Sequence, residues 1–152
     1  MTSTETETET EQEQRQGTAI IRASWLGTAV FAVVAGLGAG QPDDFERAVA
    51  VVSGVLFALG VVAFLWSFAV AVGRSRTDEI SVIGLWFLSG SAPASVKRSL
   101  LASLAMQIVV ALAAAFIRPY TEVAFGVLVP VYGLGLCGLW GARYGTFPER
   151  QD

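Results

Sequence analysis

The chain has 152 residues, 53% of them apolar and 15% charged, which fits a single domain and is too apolar for a soluble one. Its formal charge of −3 comes from the first 17 residues, where Glu5, Glu7, Glu9, Glu11 and Glu13 face only Arg15; the remainder is at +1 and has no basic stripe for nucleic acid. With no His and the lone Cys137, the chain lacks the ligands of haem and copper centres, imidazole-assisted nucleophiles and an internal disulfide, which excludes quinone-linked disulfide enzymes and four-helix cytochromes.

Residues 1–17 alternate Thr and Glu, then Gln and Glu, with no apolar residue after Met1, and are expected to form a disordered acidic tail. Residues 18–145 are expected to form the membrane domain, and 146–152 a short cytoplasmic tail. Four uncharged stretches follow the acidic tail, at about 23–41, 48–73, 99–117 and 123–142. At about 1.5 Å of rise per residue, each reaches roughly across a hydrocarbon core of about 30 Å. The fold class is therefore an all-α membrane protein, a four transmembrane helix bundle with an interfacial or re-entrant helix in its middle loop. A cleaved signal peptide would need a short basic leader, whereas this one is long and acidic, so the first stretch reads as a retained span.

The first span carries Gly36-xxx-Gly40, a pattern that lets helices approach closely. Between spans, Gln41-Pro42-Asp43-Asp44 and Arg118-Pro119-Tyr120-Thr121-Glu122 supply helix punctuation, with Asp and Thr placed to cap helix N-termini. In the middle loop, Thr77-Asp78-Glu79 reads as a helix start before the apolar Ile80–Leu88, which is too short to span and is expected to lie shallowly, re-enter or pack on the bundle. Pro93 is placed to open the third helix.

The third span has Ser99, Ser103, Gln107, Ala111 and Ala115 at four-residue spacing, one smooth and slightly polar face with Gln107 near the bilayer midplane. Its amide needs a partner on a neighbouring helix or on a solute. In the fourth span Gly135, Gly138 and Gly141 recur every third residue, and Pro130 frees a carbonyl one turn back beside Tyr132. Gln107, Ser103, Pro130, Tyr132, Gly135, Gly138 and Gly141 are thus the candidates for packing or for lining a path. No carboxylate or base lies inside a span, which argues against proton- or sodium-coupled transport.

Eight bases flank one set of span ends (Arg15, Arg22, Arg74, Arg76, Lys97, Arg98, Arg143 and Arg150) against Arg47 and Arg118 at the other, which places both termini and the middle loop in the cytoplasm. Trp25, Trp66, Trp86 and Trp140 are expected at that same interface, with Tyr120 marking the outer face. Nine Arg against one Lys, with abundant Ala, Val and Gly, suggest a high-GC bacterium and hence a bacterial plasma membrane.

From Arg118 to Pro148, the string Arg-Pro-Tyr-Thr-Glu-Val-Ala-Phe-Gly-Val-Leu-Val-Pro-Val-Tyr-Gly-Leu-Gly-Leu-Cys-Gly-Leu-Trp-Gly-Ala-Arg-Tyr-Gly-Thr-Phe-Pro resembles a group of four-span membrane proteins of high-GC Gram-positive bacteria. The resemblance implies the architecture and no activity. The expected role is a non-enzymatic accessory or scaffold subunit, with no catalytic residue, cofactor or metal. Its expected partners are the lipid bilayer and either itself or a larger membrane protein. The span-four glycines and the loop residues Arg74, Arg76, Trp86, Phe87, Lys97 and Arg98 are its expected contact surfaces. The alternative is an oligomeric, uncoupled channel or carrier for an uncharged or lipid-like solute.

Overall fold

A computed structural model describes residues 3–149, with side chains outside 3–16 and 42–44. It is all-helical, and four helical stretches are long and apolar enough to cross a membrane: Gly17–Gly40, Phe45–Arg74, Ala94–Ile117 and Glu122–Tyr144. They overlap the four uncharged stretches. The helices are α1 (Ser3–Gly40), α2 (Pro42–Arg74), α3 (Val82–Trp86), α4 (Ala94–Ile117) and α5 (Pro130–Tyr144), with a 3₁₀ segment over Glu122–Leu128 ahead of α5. The expected disorder of residues 1–17 falls almost wholly outside the described side chains.

The fourth span is a broken helix, and Pro130 explains where it breaks. Proline has no N–H to donate, so no helical hydrogen bond can run back from that position. The chain therefore crosses the first part of the span as 3₁₀ and opens α5 at Pro130. This span is also the centre of the bundle: 56% of its apolar window is buried, against 28% for each of the other three. α5 packs on α1, α2, α4 and α3, and α1 packs on both α2 and α4, so α2 and α4 occupy opposite corners.

Glycine sets the closest of these contacts. A Cβ at Gly60 of α2 would stand 2.5 Å from both Cα and N of Tyr132, and one at Gly135 would meet the Gly60 carbonyl oxygen. α2 and α5 thus touch backbone to backbone, an approach that only small residues permit. Further along, fully buried Phe31 lies against Gly126 and belongs to a core with Val49, Val123 and Val129. Gly36 and Gly40 have open space where a side chain would project, so their motif faces out of the chain.

The punctuation and the tryptophans differ from expectation in three places. Helix α3 starts at Val82, capped by the Ser81 hydroxyl, which accepts from Gly84 N at 3.0 Å; Asp78 instead pairs with Arg74 at 2.8 Å, and Glu79 N donates to the Pro148 carbonyl. Thr121 does not cap through its side chain, because its hydroxyl donates back to the Arg118 carbonyl; the carboxylate of Glu46 reaches over from α2 to accept from Glu122 N at 2.9 Å. Trp86 and Trp140 are buried packing residues, while Trp25 and Trp66 are exposed as an interfacial belt requires.

Candidate functional site

Two places concentrate the polar and charged residues of the membrane domain. The first is a knot in the bundle interior. Ser24 and Thr28 lie one turn apart on α1, Ser103 and Gln107 one turn apart on α4, and all four are buried. Gln107 Nε2 donates to Thr28 Oγ1 at 2.7 Å, while its Oε1 accepts from Gly133 N at 3.1 Å. Thr28 Oγ1 donates to the Ser24 carbonyl at 2.8 Å. Since that uses its only proton, the 2.8 Å contact between Thr28 and Ser103 has Ser103 as donor, and the 2.8 Å contact between Ser24 and Ser103 has Ser24 as donor.

The knot has a definite structural task. The first N–H groups of any helix have no partner inside it, and α5 begins in the middle of a span, where water is scarce. Gln107 adds an acceptor for Gly133 N in the first turn of α5, and Pro130 leaves one fewer N–H to satisfy there. Tyr132 ties the same turn to α1, its hydroxyl donating to the Ala23 carbonyl at 2.8 Å while its ring fills the space beside Gly27. Gln107, Ser103, Pro130 and Tyr132 are therefore brought together around one helix start. Ser24, Thr28, Gly27 and Gly60 belong with them and escaped the sequence reading, although Ser24 and Thr28 at i,i+4 carried the same signal as Ser103 and Gln107.

The second place is the end of the bundle where the chain enters α1, leaves α2, turns through the middle loop and leaves α5. Helix α3 tucks between α2 and α5. Trp86 stacks on Phe64 with ring centroids 4.2 Å apart and lies against Gly138, and the Leu85 carbonyl lies 2.5 Å from where a Cβ on Gly141 would stand. Gly138 precedes the end of α5 by six residues, so the loop reaches about 9 Å down the helix. Gly135, Gly138 and Gly141 are all spent on contacts inside the chain, which corrects the expectation that the span-four glycines offer a surface to a partner.

Arg74 is likewise an internal clasp rather than a docking residue. Its guanidinium donates to the Ala142 carbonyl at 2.8 Å, to the Gly145 carbonyl at 3.1 Å and to Asp78 at 3.0 Å, with Phe147 beneath it at 5.6 Å. The carbonyls at the end of α5 lack helical partners, and a cation there also meets the negative end of the helix dipole. Thr146 N donates to Ser91 O and Ser91 Oγ donates to Gly84 O, so the C-terminal segment and the middle loop are sewn together.

One face of α3 is exposed at this end, with Val82, Ile83 and Phe87 at 70%, 63% and 50% exposure. Arg76 and Arg98 are exposed at the same end and Lys97 is partly so. At the far end Arg118 donates to the Ala39 carbonyl at 3.3 Å. Among the described residues, no three His, Cys, Asp or Glu converge to hold a metal ion. No family model matches the chain, and no curated protein or solved structure matches it.

Proposed function

We propose that this chain is a non-enzymatic accessory or scaffold subunit of a bacterial plasma membrane, with both termini in the cytoplasm, and that it meets a larger membrane protein through its loop end. The observation that carries the reading is the α3 face: three large apolar side chains held outward by a helix whose other side, Leu85, Trp86 and the following Leu88, is buried. Arg76, Lys97 and Arg98 stand at the same end of the bundle, which favours a partner surface that is apolar at its centre and carries carboxylates at its rim. The clasp by Arg74 and the stack of Trp86 on Phe64 keep this face rigid, which lowers the ordering cost of docking.

The knot supports this reading over an uncoupled channel or carrier. Gln107 and Ser103 are fully buried and bonded to each other's neighbours, and they lie in the interior of one chain, so assembling several copies would not bring them to a shared path. Site-specific photo-crosslinking in the native membrane tests the proposal. A crosslinker at Val82, Ile83 or Phe87 is expected to give one discrete protein adduct, with lipid adducts only from Leu112 on the outward side of α4. Lipid adducts alone at all four positions would refute it.

A further inference from the structure

A cleft at the loop end takes no part in the docking face above. It has a volume of about 820 Å³ and three walls: the start of the first span (Gly17, Thr18 and Ile21), the turn from Gly90 to Val96, and the end of α5. That size suits an amphiphile's head and the first part of its chain. Ile21 and Val96 provide apolar wall, while Ser95 and Thr146 provide hydroxyls.

Among the described residues, charge in the cleft is of one sign. Arg143 is its only charged lining residue, is exposed, and forms no ion pair among the described residues. Trp140, one turn back on the same side of α5, is 6% exposed, and its indole N–H has no acceptor. That N–H edge is buried and faces Gly17, lying 3.1 Å from where a Cβ there would stand, so the indole closes the wall beside Arg143. A buried donor without a partner is uncommon in a folded chain. The cleft also opens at the end where Arg22, Arg74, Arg76, Lys97 and Arg98 gather, the level at which lipid headgroups meet a spanning bundle.

We propose that this cleft binds the phosphate headgroup of an anionic phospholipid, with Arg143 holding the phosphate and Ile21 and Val96 flanking the start of the acyl chains. Two features set it apart from a general attraction of basic ends to lipid. It is enclosed on three sides, and among the described residues no carboxylate lines it to compete for Arg143.

The test uses the full chain in nanodiscs of mixed phosphatidylglycerol and phosphatidylcholine, released into native mass spectrometry. One phosphatidylglycerol is expected to stay bound. Arg143→Gln should weaken its retention about tenfold, the loss expected of one charge-assisted hydrogen bond. Ser95→Trp, which fills the cleft, should abolish it, and Arg76→Gln, outside the cleft, should leave it unchanged. Equal weakening by Arg143→Gln and Arg76→Gln would overturn the proposal in favour of diffuse attraction. Displacement of the lipid by millimolar inorganic phosphate would overturn it in favour of a free anion. Retention that appears only after residues 1–16 are removed would overturn it too, assigning the cleft to the chain's own acidic tail.

Discussion

Replacing Gly60 by Ala tests the backbone contact on which the bundle turns. A methyl at this position would stand 2.5 Å from Cα and N of Tyr132, where ordinary contact between such atoms is about 3.5–4 Å. Backbone cannot rotate aside, so α2 and α5 must part by about 1 Å, which would also strain the bond from the Tyr132 hydroxyl to α1. Overpacking of this kind costs about 1–3 kcal/mol, and the upper half of that range is expected because the obstacle is main chain. Gly54 is the control, on the same helix but with open space where its side chain would project. There Ala should be neutral or stabilise by up to about 1 kcal/mol through helix propensity. The two variants are therefore expected to differ by about 2–4 kcal/mol in a reversible unfolding titration in mixed micelles, followed by the fluorescence of the buried Trp86 and Trp140. Equal midpoints for Gly60→Ala and Gly54→Ala would refute the close α2–α5 packing.

Gln107→Leu removes two interhelical hydrogen bonds worth roughly 0.6–1.7 kcal/mol each in a membrane, so the same titration should show a loss of about 1–3 kcal/mol; a stable variant with altered solute flux in vesicles would point to a path instead. Ser53 has a buried hydroxyl with no partner, so Ser53→Ala should stabilise by about 1 kcal/mol, and a loss of stability would mean that the hydroxyl has a partner after all. Arg74→Ala breaks the clasp, and amide exchange at Gly145 and Thr146 should lose its protection while α2 keeps its own; unchanged exchange at Thr146 would count against the clasp. Tyr120 is fully exposed with φ of +64°, in the left-handed region, so Tyr120→Asn should raise the unfolding free energy by about 1 kcal/mol, and a lower value would contradict that.

The spans and the ends of the bundle were legible in the sequence because water and lipid sort residues by charge, and uncharged runs of this length have few other fates. The break at Pro130 was legible for a covalent reason, the missing N–H. What the sequence concealed is which side of each helix faces inward. In a bilayer the outward face is as apolar as the inward one, so Gly36-xxx-Gly40 and Gly54 look no different from Gly60 and Gly135, and only the structure separates open from crowded glycines. Gln107 was recognisable as an amide that needs a partner, but its partner Gly133 N exists only because the fourth span restarts there. By contrast, the pairing of Asp78 with Arg74 was legible as an i,i+4 pair of opposite charges, and the helix-start reading of Asp78 passed over it.

The central claim, that the exposed face of α3 docks a larger membrane protein, is tested most directly by native mass spectrometry of the full chain extracted gently from its own membranes, compared with a variant carrying Val82→Ser, Ile83→Ser and Phe87→Ser. These side chains are outward and unneeded by the core, so the variant should fold and insert as the parent does. The account predicts a partner at fixed stoichiometry on the parent chain and its loss from the variant. Identical assemblies from both, or a bare monomer or homo-oligomer from the parent, would contradict it.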